Sequence, residues 1–141
     1  MTVQKLAALL VAAAFGYAGA AFAHHSFSAE FDAAKPVKLT GIVTKVEWTN
    51  PHVWFYINVK DEATGQVTNW GAEMGPPHGL QRSGWRRETL KVGESVTVDG
   101  YLARNGANRV NARSVTLTAT GGRPGQTLDA NSSASGSNQA Q

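Results

Sequence analysis

Read for its apolar and polar positions, the chain is a run of short strands between Pro36 and Leu117. In PVKLTGIVTKVEW, Val37, Leu39 and Val43 share one parity and Val46 and Trp48 the other. The buried face therefore switches within the strand. Gly41, just ahead of the switch, marks the place where a bulge or sharp coil is expected. TNP at 49–51 is a turn. HVWFYINVK then alternates, with Val53, Phe55, Ile57 and Val59 on one face and His52, Trp54, Tyr56 and Asn58 on the other. DEATGQ predicts a hairpin turn and VTNWGAEM a third strand. GPPHGLQRSGW holds too much proline and glycine for a strand, so a short helix or turn starts near Pro77. A turn at Gly93, a fourth strand with Val96 and Val98 in phase, a hairpin turn at RNGAN and a fifth strand in RVNARSVTL complete the pattern. Five strands, the first long and bent, with a helix-sized insert between the third and fourth, predict an all-β fold. The expected architecture is a small five-stranded OB-like β-barrel, in which closure hides the sheet edges. Another small barrel or sandwich is the alternative.

The two ends of the chain differ from this pattern. Lys5 precedes an apolar run at 6–15, and small residues follow up to Ala23. The run has the length of a signal-peptide core and falls short of the roughly 20 residues that span a bilayer. Residues 1–23 are read as a signal peptide cut after Ala23, with cuts after Ala20 or Ala21 also allowed by the small residues there. The expected location is periplasmic or secreted. Residues 24–119 form the barrel domain with an N-terminal arm. TGGRPGQTLDANSSASGSNQAQ at 120–141 holds so few large apolar groups that it is read as a disordered tail. The chain has no cysteine, so the fold uses no disulfide. A formal charge of +3 is too weak a field to argue for nucleic acid.

Candidate chemistry starts with four histidines: His24, His25, His52 and His78. A cut after Ala23 gives His24 a free α-amine, which with its own ring nitrogen can chelate a metal. An α-amine titrates near 7.7–8.0, so a metal displaces its proton close to neutral pH. Such nitrogens in a plane suit Cu(II). His25 can add a second ring or a deprotonated amide. His52 opens the second strand and His78 follows the third, so an antiparallel pairing puts both at one end of the barrel, with Glu73 nearby. The arm from His24 to the first strand reaches roughly 40 Å if extended, so a site combining His24, His52 and His78 is within reach. The bland reading is that these are surface and turn histidines.

A second constellation is the outward face of strand two, with Trp54 and Tyr56, and the basic loop carrying Arg82, Arg86 and Arg87. Aromatics on an OB barrel can stack on ligands, although a small barrel also needs large side chains simply to fill and cover it. Ser26, His25 and Asp32 have the residue types of a hydrolase but stand close together in one segment, without an elbow to present a nucleophile. No catalytic assignment follows.

HHSFSAEFD, KPVKLTGIVTKVEWTNPHVWFYINVKD, NWGAEMGPPHGLQRSGW, LKVGESVTVDGYLARNG and NARSVTL together resemble the bacterial secreted family catalogued as domain of unknown function family 6152. The likeness runs from His24 to about Leu117. It implies a signal peptide, a small exported β domain and no established activity, so it carries over no catalytic residue. The four histidines fall inside the matching motifs. The expectation is thus an exported, non-catalytic binding domain that takes copper or a similar metal at its mature N-terminus. The alternative is a protein- or small-ligand module using Trp54, Tyr56, Arg82 and Arg86. Neither nucleic acid nor a membrane anchor after cleavage is expected.

Overall fold

The computed structural model describes residues 27–120 and 122–131. The long first strand, β1 (Phe31–Glu47), pairs on one side with β2 (Trp54–Lys60) and on the other with β4 (Ser95–Ala103), both antiparallel. β2 continues antiparallel to β3 (Val67–Glu73), and β4 to β5 (Arg109–Leu117). A parallel β3–β5 pairing joins the two halves. Five strands therefore form a ring, β1-β2-β3-β5-β4, and the all-β, OB-like expectation holds. The expected helix between the third and fourth strands is α1 (Pro77–Arg82), with proline in its first turn, where a missing N–H costs nothing. Among the described residues, no helix is long and apolar enough to cross a membrane.

The face switch in β1 is real, but glycine does not make it. The register against β2 slips between Val43 and Lys45, at Thr44. Gly41 serves another purpose: a Cβ there would lie 2.4 Å from the Asn58 carbonyl oxygen, so the residue lets the β2 backbone approach closely. The alternation read in β2 is the observed one, with Val53, Phe55 and Ile57 fully buried and Trp54 and Tyr56 half-buried outside.

Inside the ring, Val43, Val96, Val98, Val110 and Val115 pack with Phe55, Ile57, Leu80 and Trp85. Trp48 and Trp85 belong to this core, and Trp70 packs against it, so three of the four tryptophans are structural.

The disordered tail expected over 120–141 is not what the described residues up to Asn131 show. β6 (Gln126–Asp129) pairs antiparallel with β5 and adds a sixth strand. Leu128 and Ala130 are buried, and Trp85 Nε1 donates to the Asp129 carbonyl at 2.7 Å. The segment has little apolar surface of its own, but β5 gives it a ladder and the Trp85 indole gives it an anchor. Neither partner is visible in the composition of the segment. Residues 132–141 lie outside the described part.

Candidate functional site

The pairing of β2 with β3 continues past the strand ends, through Val53 N–H to the Gly75 carbonyl (3.1 Å) and Met74 N–H to the Val53 carbonyl (2.8 Å). This fixes the backbone of the 50–53 turn beside the end of β3. There the His52 Nδ1 and Glu73 Oε1 atoms meet in a short hydrogen bond. Glu73 is a buried charged residue, which is costly unless the carboxylate has a partner. A carboxylate only accepts, so Nδ1 carries the hydrogen of this bond, and in the neutral ring the lone pair is then on Nε2. The His52 side chain is 41% exposed. A ring held through one nitrogen by a carboxylate, with the other nitrogen free, is how proteins orient metal-binding histidines. The same pair also serves structure alone, by satisfying the buried carboxylate.

Glu73 stands in a row of register partners that crosses the sheet: Trp54 opposite Glu73, Glu73 opposite Asn111, Asn111 opposite Tyr101. The neighbours of Asn111 along β5, Val110 and Ala112, face the core, so Asn111 belongs to the outer face. Its side-chain oxygen is nonetheless buried, with no hydrogen-bond partner among the described residues. Cations line the row. The Arg109 guanidinium lies 5.5 Å from the Trp54 ring and that of Arg113 5.5 Å from the Tyr101 ring.

Trp54 and Tyr56 share the outer face across Gly71. A Cβ on Gly71 would touch the Tyr56 ring at 3.4 Å and the Trp54 ring at 3.6 Å, so the glycine is the floor on which both rings rest. Tyr56 Oη donates to Glu47 Oε2 at 3.1 Å, and Lys45 Nζ lies 2.5 Å from Glu47 Oε1. Burial first, then the bond to Glu47, pushes the Tyr56 phenol above its ordinary range. Lys45, and after it Tyr56, holds the Glu47 carboxyl low.

The structure thus sorts the expected site residues into groups. His52 joins Glu73. Trp54 and Tyr56 join Arg109 and Lys45 rather than Arg82 and Arg86. His78 lines a shallow depression with Gln81, Arg82 and Arg86. The Arg86 guanidinium is already tied to the Gln81 and Trp85 carbonyls at 3.2 and 2.8 Å. Among the described residues, no three His, Cys, Asp or Glu side chains form a metal-holding group, so His52, Glu73 and His78 do not make one together. His24 and His25, with the expected leader, lie outside the described residues. Sequence reading had placed Glu73 near His52 but missed Arg109 and Asn111. Their signal is the parallel β3–β5 seam, which no local pattern announces.

A family described as a family of unknown function, DUF6152, matches residues 11–112. The chain belongs to that family. No match is found among curated proteins. Family membership thus brings no activity with it, and the geometry has to carry the functional reading.

Proposed function

We propose that this DUF6152 member is an exported, non-catalytic binding domain that takes up copper or a similar transition metal at a mature N-terminus beginning with His24. The α-amine and ring of His24 supply the first two nitrogens. The observation that carries the reading is the docking of the arm just after these residues. Phe27 stacks on Phe31 with ring centroids 6.0 Å apart and meets the Tyr101 ring edge-on at 5.8 Å. Arg104 Nε donates to the Ser28 carbonyl at 2.7 Å, and Arg104 Nη1 lies 3.8 Å from Asp32. The chain is thus held to the sheet from Phe27 onward, three residues after His24 in sequence, which limits the length of chain that a metal site at His24 would have to order. The test is a Cu(II) titration of protein beginning at His24 against the same protein with its α-amine acetylated. Tight binding that acetylation removes supports the reading, and equal binding by both forms refutes it.

A second reading rests on a different observation, the Trp54–Arg109 stack with Tyr56 across Gly71. An aromatic floor with a cation at its edge suits a ring-bearing small ligand or a peptide side chain. That reading requires Trp54→Ala to abolish ligand binding and α-amine acetylation to leave it untouched.

A further inference from the structure

We infer that the depression on the outer face of β4, β5 and β6 is a site for a neutral sugar, held through its hydroxyl groups. The site is separate from the N-terminal metal and from the Trp54 face, and it does not depend on either reading.

A bulge builds the depression. Asp99 pairs with Ser114 and the next residue, Gly100, with Ala112, so Arg113 is the extra residue on β5. Ala112 and Val115 face the core, which leaves Arg113 and Ser114 side by side on the outer surface. Bulges re-aim side chains in this way. β6 completes the wall. Ala130 N–H donates to the Arg113 carbonyl at 2.8 Å, and Asp129 is the register partner of Ser114. The result is a hollow of about 490 Å³ lined by Asp99, Arg113, Ser114, Asp129 and Asn131. Small-molecule sites run from about 300 to 1,000 Å³.

The lining selects the ligand by charge. Asp99 and Asp129 flank Ser114 in one register row, two strand spacings or about 10 Å apart along the sheet. That separation, with an arginine beside it, does not suit a single metal ion, and among the described residues no three His, Cys, Asp or Glu side chains form a metal-holding group. Two carboxylates also repel an anion. What remains is a neutral molecule that both donates and accepts. Lys38 Nζ lies 3.4 Å from Asp99 Oδ1, and Asn131 N–H donates to Asp129 Oδ1 at 2.8 Å. Each carboxylate is therefore positioned through one oxygen and keeps the other to accept. The Arg113 guanidinium lies 5.5 Å from the Tyr101 ring and, among the described residues, has no carboxylate within salt-bridge distance. Stacking on a ring leaves its in-plane N–H groups to donate. Neighbouring sugar hydroxyls match both needs, since each donates one hydrogen and accepts others.

The surface beside the hollow continues the pattern. Two residues along each strand, and so on the same face, Thr40, Thr97, Thr116 and Thr127 are register partners across β1, β4, β5 and β6. Their hydroxyls bond pairwise, Thr40 to Thr97 and Thr116 to Thr127, each at 2.9 Å. The row covers three strand spacings, about 14 Å. A second unit of a sugar chain rests on it when the first is seated in the hollow.

The experiment titrates the protein with three neutral trisaccharides, maltotriose, cellotriose and tri-N-acetylchitotriose, and follows each backbone amide by nuclear magnetic resonance. Trigalacturonate and the chitosan trimer are the acidic and basic controls. At least one neutral sugar should shift the amides of Arg113, Ser114, Asp129 and Asn131 at millimolar concentration or below. Arg113→Ala and Asp129→Asn should each weaken that binding by about tenfold or more, the effect of one hydrogen bond to a charged group. Asp129→Asn keeps the oxygen that accepts from Asn131 N–H, and the same spectra report whether each variant is folded. Trp54→Ala should leave the affinity unchanged. No shift at these amides with any neutral sugar, or wild-type affinity in both Arg113→Ala and Asp129→Asn, overturns the inference. Tighter binding of either charged trimer than of all three neutral sugars overturns it as well.

Discussion

Replacing Trp85 by Phe tests whether β6 is an integral part of the fold. Trp85 is fully buried, and its indole nitrogen donates to the Asp129 carbonyl at 2.7 Å, linking the loop after α1 to the last strand. Phenylalanine gives up the donor, worth about 1 kcal/mol net. It also gives up roughly two buried carbon-sized groups, at about 0.8 kcal/mol per CH2. The expected loss is about 2–3 kcal/mol. In a domain of this size that lowers the thermal midpoint by about 10 °C or more. Ending the chain at Gly125 removes the buried Leu128 and Ala130 together with the β5–β6 ladder. Leucine burial alone amounts to about 1.5–3 kcal/mol. The assay is urea unfolding of both single variants and of their combination. Since the shortened chain has no Asp129 to bond, Trp85→Phe should cost about 1 kcal/mol less in that background. A shortened chain with an unchanged midpoint, or full additivity of the two changes, would refute the claim that this segment is clamped.

Gly100→Ala should be among the most damaging single-methyl additions, because its Cβ would fall 2.2 Å from the Asn111 carbonyl oxygen, which is backbone that cannot swing away. A loss of about 1–3 kcal/mol is expected in the same urea assay. Asp61 caps the β2–β3 turn by accepting from the Ala63 and Thr64 N–H groups at 2.8 and 2.9 Å, and the Thr64 bond, then the Ala63 bond, holds its carboxyl below the usual range. A depressed carboxylate stabilises above its unfolded pKa, near 3.9, and loses that contribution as pH falls through the folded value. Asp61→Ala should therefore lower the urea midpoint at pH 7, and the gap from wild type should narrow on acidification toward pH 2.

The strands were legible because each carries its own alternation: Val53, Phe55 and Ile57 in β2, Val96 and Val98 in β4. The helix start at Pro77 announced itself through proline. What stayed hidden depends on partners distant in sequence. Gly41 looked like the bulge because a glycine beside a parity switch usually is one, yet the slip falls at Thr44 and the glycine answers to Asn58 across the sheet. QTLD is a strand because Trp85 and β5 accept it, not because it holds apolar surface. In the candidate site, His52 and Glu73 could be placed at one end of the ring from strand direction alone. The row leading through Asn111 to Tyr101 could not, since it needs the parallel β3–β5 register. His78 went astray for the opposite reason: sharing an end of the ring did not bring its side chain to His52, and it keeps company with Arg82 and Arg86 instead.

The most direct test of the central claim is to isolate the protein from its native host, measure its intact mass, and titrate that same sample with Cu(II) under electron paramagnetic resonance. The account predicts a mass beginning at His24 and a tight, nitrogen-rich copper signal that His24→Ala removes. A mass beginning at Ala21 or Phe22, or a signal no stronger than weak surface binding, would contradict it.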